Sequence, residues 1–95
     1  MNELKFSIIT CTLNSAEYLR TTIASVKQQS YSKWEHIFID GNSTDETTQI
    51  IRADEAEFPE RVRLLQFPPQ GISHAMNMGI HEAQGHYIIH LHSDD

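Results

Sequence analysis

Three sets of side chains in this sequence have the types and spacing that chemistry needs. Asp94 and Asp95 are adjacent carboxylates, hard oxygen donors suited to Mg²⁺ or Mn²⁺. Such an ion bridges diphosphate oxygens and neutralises charge on a leaving group. A solvated acidic end is the plainer reading of the same pair. Asp40 can accept hydrogen bonds from a ribose hydroxyl or a base N–H, or it can simply open a turn capped by Ser43. His90, His92 and Asp94 are two residues apart, so on a strand they share one face and could converge on a metal. Cys11 lies inside the apolar run Phe6–Leu13, where a small buried hydrophobe is expected rather than a nucleophile.

Composition narrows what these groups can serve. The chain has 95 residues, 13 acidic against 7 basic side chains, and a formal charge of −6. That is one domain at most, and no basic patch is available to neutralise a row of nucleic-acid phosphates. A bound polyanion therefore needs help from something other than Lys and Arg, and a cation would supply it. A single cysteine makes no internal disulfide. No stretch has the length of a membrane span and the first five residues lack a signal-peptide core. A cytoplasmic domain is expected, at the inner face of a membrane if further segments attach it peripherally. Phosphate loops of the G-x-x-x-x-G-K-[ST] kind, the G-x-G-x-x-G fingerprint, the G-x-S-x-G elbow and C-x-x-C are all missing from the sequence.

The elements that must position these residues alternate between two periodicities. Lys5–Leu13, Trp34–Asp40, Val62–Phe67 and His86–His92 read as strands. Between them, apolar residues at three- and four-residue steps predict three helices. Tyr18, Leu19, Thr22, Ile23 and Val26 mark the first, Thr47, Ile50 and Ile51 the second. Ile72, Ala75, Met76, Gly79, Ile80 and Ala83 mark the third, ending near Gly85. Asn14 followed by Glu17, and Ser43 followed by Glu46, have capping-box spacing at the first two helix starts. The order βαβαβαβ implies an α/β fold, a mostly parallel Rossmann-like sheet with helices on both faces. Ligands bind such sheets outside the carboxyl ends of the strands. Thr12-Leu13-Asn14, Asp40–Ser43, Pro68–Gly71 and Ser93–Asp95 should therefore share one edge. Gly71 stands before a helix, where an N-terminus can hold an anion or a plain turn can suffice. The chain stops at a strand tip on two acids, which suggests residues 1–95 are one domain cut from a longer protein.

Four motifs in order carry a resemblance. Ile8-Ile9-Thr10-Cys11-Thr12-Leu13-Asn14, Asp40-Gly41-Asn42-Ser43-Thr44-Asp45-Glu46-Thr47, Gly71-Ile72-Ser73-His74-Ala75-Met76-Asn77-Met78-Gly79 and His92-Ser93-Asp94-Asp95 resemble the N-terminal, nucleotide-sugar-binding half of a family 2 glycosyltransferase with the GT-A fold. The resemblance implies a nucleoside-diphosphate sugar donor, usually a UDP-sugar, and a divalent metal, Mn²⁺ or Mg²⁺. It places Thr12, Leu13 and Asn14 along the base and ribose, Asp40 on the uracil or ribose, and Gly71 and Asn77 beside the donor. Asp94 and Asp95 match the Asp-x-Asp region that holds the metal. It also implies inversion at the anomeric centre by a carbohydrate or lipid-linked acceptor, with a catalytic base in a C-terminal half that residues 1–95 do not include, so that this stretch alone is inactive. Departures from the pattern are Leu13 where an aromatic is common, His92 at the first acid of Asp-x-Asp, Pro69-Gln70 for a charged pair, and Gly41 for a second acid.

Two alternatives belong to other classes. His90, His92 and Asp94 are faintly similar to the His-x-His-x-Asp-His string of metallo-β-lactamase-type zinc hydrolases, with Asp95 in place of the last histidine. A noncatalytic nucleotide-binding module would use the same rim without a metal.

Overall fold

The computed structural model describes residues 6–28, 33–66, 68, 72–84 and 87–91, with the main chain alone at 72–75. The elements alternate as the periodicities predict: β1 Phe6–Thr12, α1 Ala16–Lys27, β2 Trp34–Asp40, α2 Thr47–Glu57, β3 Val62–Gln66, α3 Ile72–Glu82 and β4 Tyr87–His90. All strand pairs are parallel, in the order β3-β2-β1-β4.

Handedness explains which helix covers which face. The steps β1 to β2 and β2 to β3 run in one direction, so right-handed crossovers put α1 and α2 on the same face. The step from β3 back past β1 to β4 reverses direction and sends α3 to the other face. Two separate cores result, because successive strand residues point to opposite sides. Ile8, Trp34, Phe38 and Val62 pack under Leu19, Ile23 and Val26 of α1 and Ile51 of α2. Ile9, Ile37 and Ile39 pack against Met76, Met78 and Ala83 on the α3 side. At Gly79 the helix lies so close to β1 that a Cβ would stand 2.6 Å from Ile9 Cγ2.

The predicted helical stripes need two corrections. Tyr18 and Ile80 are exposed, and Met78 packs on the sheet in a position the three-and-four spacing did not favour. Beyond the apolar contacts, Lys27 ties α1 to α2, its Nζ lying 2.6 Å from Glu57 Oε1 and 3.3 Å from Asp54 Oδ1. Near the amino end of the sheet the buried Glu35 accepts from Ser7 Oγ (2.6 Å) and from the Gln84 N–H (2.6 Å). Arg63 reaches Glu35 at 3.4 Å and donates to the Glu82 carbonyl at 2.6 Å, a cation at the carboxyl end of α3 where the helix dipole favours it. Among the described residues no helix is long and apolar enough to cross a membrane.

Candidate functional site

Parallel pairing sets Thr12, Asp40 and Gln66 side by side at the carboxyl edge. The loops leaving β1 and β2 therefore start together. Gly41 N–H donates to the Thr12 carbonyl at 2.9 Å, extending the pairing one residue past the strands. Thr12 Oγ1 donates to Asp40 Oδ1 at 2.7 Å. Ser43 folds back on the same carboxylate, its Oγ donating to Oδ1 at 2.6 Å and its N–H to Oδ2 at 2.8 Å. Asp40 is 0% exposed and Thr12 4%. A buried carboxylate needs such donors, since losing its hydration without them costs several kcal/mol. The expectation for Asp40 is contact with a base or ribose; in the structure its oxygens face Thr12 and Ser43 and present no surface.

The two capping boxes do not form. Ser15 stands at the cap position of α1 without a side-chain cap bond, and α2 begins at Thr47 behind Glu46, also without one. The loops cap each other instead. Asn14 Oδ1 accepts from the N–H groups of Thr44 (2.8 Å) and Asp45 (3.2 Å) and from Thr44 Oγ1 (3.3 Å). Asn14 N–H donates to Ser43 Oγ at 2.8 Å. Asp45 serves both helices: Oδ2 accepts from the Ala16 N–H at 3.3 Å, and Oδ1 from the Thr47 N–H at 2.9 Å and from the Thr47 hydroxyl. The Thr47 hydroxyl contact leads in holding the Asp45 carboxyl below its ordinary pKa, and two helix N-termini favour the same anion. Ser15 N–H donates to Thr47 Oγ1 at 2.8 Å. Asn14 and Asn42 take left-handed backbone, with φ of 51° and 61°, which asparagine tolerates better than most residues. Asp45 and Thr47 were not among the residues singled out as functional. Their Asp-x-Thr spacing before a helix is the sequence signal that marks them.

Around this rim Leu13 is 52% exposed, an apolar surface between two polar loops. Asn77 is exposed on α3, on the other face of the sheet. Thus Thr12, Asn14 and Asp40 come together with Ser43 and Asp45, while Asn77 stands on a separate element. Cys11 is half-buried, and burial pushes its thiol pKa up, as suits packing rather than reactivity. Four residues before Asp40 on β2, His36 is hydrogen-bonded to Thr10 Oγ1 at 2.7 Å and stacked on Phe38 at 3.9 Å. Burial pushes its pKa down to about 3, so the imidazole is neutral.

Gly71, His92, Asp94 and Asp95 lie outside the described residues. His90 pairs with Ile9 at the end of β4. Among the described residues no group of three His, Cys, Asp or Glu is arranged to hold a metal, and Asp40 and Asp45 already spend their oxygens on protein donors. By donor chemistry the carboxylates of Asp94 and Asp95 fit Mg²⁺ or Mn²⁺.

The match to known proteins runs through the whole sheet. Residues 7–95 fit the family model "Glycosyl transferase family 2". The chain is 37% identical over 90 residues to a PGL/p-HBAD biosynthesis glycosyltransferase of Mycobacterium bovis, covering 95% of this chain and 35% of the relative. It superposes on crystal structures of S. aureus TarS 1-349 with a TM-score of 0.89 at 27% identity, covering 97% of this chain and 28% of TarS 1-349. A second TarS structure, in complex with UDP-GlcNAc, gives a TM-score of 0.85 at 26% identity, covering 96% and 27%. The chain thus spans about a third of the relatives it matches, and it carries their GT-A-type α/β architecture. With the family model matching residues 7–95, nearly the whole sequence, the chain belongs to glycosyltransferase family 2.

Proposed function

We propose that these residues form the donor-binding portion of a longer, inverting glycosyltransferase that takes a nucleoside-diphosphate sugar, a UDP-sugar in the first instance. The observation that carries this reading is the juxtaposition of the β1 and β2 loops as one rim at the carboxyl edge, where α/β sheets receive nucleotides. The UDP-GlcNAc complex of a structurally similar family protein supports the choice of donor. Leu13 offers the base or ribose an apolar surface, and Gly41 lets a ligand approach the main chain. Thr12 and Asp40 act from behind, and Gly71 and Asn77 border the donor from the α3 side. Asp94 and Asp95 would hold a divalent cation, which supplies positive charge to the diphosphate that an acidic chain lacks. In the transfer itself, an acceptor hydroxyl oxygen bonds to the anomeric carbon as the bond to the diphosphate oxygen breaks. The hydroxyl proton passes to a carboxylate outside residues 1–95, and the nucleoside diphosphate leaves.

Calorimetric titration of UDP into the protein, with and without Mn²⁺, tests this. Binding strengthened at least tenfold by Mn²⁺, with the gain abolished by Asp94→Ala, is the expected outcome. Binding indifferent to metal and to Asp94→Ala would favour a noncatalytic nucleotide-binding module. Stoichiometric zinc lost on His90→Ala would favour the hydrolase.

A further inference from the structure

Resting on the donor-site reading above, we infer that Asn14 is a positioning residue: its side-chain oxygen locks the β1–α1 and β2–α2 loops into a single preformed rim, without itself touching the nucleotide. The orientation of its amide is fixed by chemistry. The N–H groups of Thr44 and Asp45, at 2.8 and 3.2 Å, can only donate, so the oxygen of Asn14 faces them. Its backbone N–H meets Ser43 Oγ at 2.8 Å. Ser43 Oγ donates in turn to Asp40 Oδ1, and Asp40 Oδ1 accepts from Thr12, two residues before Asn14. The bonds close a ring: Thr12, Asp40, Ser43, Asn14. Leu13 is the exposed member held inside it.

The left-handed backbone of Asn14, φ 51°, is what turns its side chain from its own helix toward the other loop. A glycine there keeps that backbone without strain and removes the side-chain amide, acceptor oxygen and NH₂ together. An aspartate keeps both the acceptor and the tolerance for φ > 0. Without the acceptor, the N–H groups of Thr44 and Asp45 turn to water, and the donor must order the loop as it binds.

The experiment compares Asn14→Gly with Asn14→Asp in the full protein at 0.15 M salt, by UDP calorimetry and by amide hydrogen exchange at Thr44 and Asp45. Asn14→Gly should weaken UDP about tenfold and speed exchange at those two amides, with β2 amides unchanged. Asn14→Asp should restore affinity to within about threefold and restore protection. Equal loss of affinity in both variants, persisting when the comparison is repeated at about 1 M salt to screen the added carboxylate, would overturn the proposal, because a direct contact through the amide NH₂ is lost in each. Unchanged affinity or unchanged exchange in Asn14→Gly would overturn it as well. If the unaltered protein binds no UDP, the donor reading fails, whereas the exchange result still decides whether Asn14 holds the loops.

Discussion

β2 and β4 flank β1 in the same parallel sense, yet they are built differently. All seven residues of β2 are buried, sandwiched between α1 and α2 on one face and α3 on the other. On β4, Tyr87, Ile88 and Ile89 are 56%, 44% and 42% exposed. The registers are matched: Ile9 pairs with Ile37 on one side and His90 on the other. Among the described residues, one apolar strand is thus a core element and the other lies beside β1 with its side chains part-exposed. The β1–β2 side also holds the polar stitching of the rim, from Thr12–Asp40 to the two asparagine and aspartate caps. The loops of this edge are anchored on the ends of the two best-covered strands.

The largest effect expected from that asymmetry is at β2. Ile37→Ala removes a fully buried side chain in contact with α3 residues, and should cost about 2–5 kcal/mol in urea denaturation. That is a large share of the about 5–14 kcal/mol expected for a domain of 95 residues. A loss under about 1 kcal/mol would show that the α3 side of β2 is not the core.

Acid should act next, and through the opposite face of the same strand. His36 has a folded-state pKa of about 3 against about 6.5 unfolded. Between those values the unfolded chain binds the extra proton, so stability falls as pH drops below about 6.5 and continues to fall toward 3. The loss from this group should reach about 2–3 kcal/mol by pH 4.5. His36→Gln keeps a partner for Thr10 and should flatten the stability profile over that range relative to the parent. An unchanged slope in the variant would assign the acid sensitivity elsewhere.

The strands, helices and their alternation were legible because each element has its own period in the sequence. So was the common edge, since a parallel sheet leaves no choice about where strand ends gather. What local pattern could not reveal was who caps whom. Asn14 and Ser43 have capping-box spacing, but their partners lie 29 to 30 residues away across the sheet, brought near only by strand pairing. Asp40 looked like a ligand contact for the same reason. The turn in which Ser43 folds back on Asp40 spans three residues and was legible; Thr12 standing in register beside it, 28 residues away, is not a local property. Along α3, Met78 and Ile80 flank Gly79, the residue packed against Ile9 of β1, by about 100° on either side, and spacing alone could not choose which flank turns to the sheet.

The smallest effect is the sharpest test of the comparison. Ile89→Ala deletes the same atoms as Ile37→Ala, from a strand with the same neighbour and the same parallel sense. Ile89 pairs with Ile8 and sits beside Leu91, Phe6, Val26 and Trp34 around an open apolar groove, but it already shows 42% of its surface. Less apolar area is left to lose, and solvent fills the space where β2 would leave a cavity. The expected cost is under about 1 kcal/mol in the same urea experiment, with the UDP affinity of the rim unchanged within twofold. If Ile89→Ala instead costs as much as Ile37→Ala, β4 is covered in the protein by something that makes its apolar face part of a core. The contrast between the two sides of β1 would then reflect what surrounds the sheet and not the sheet itself.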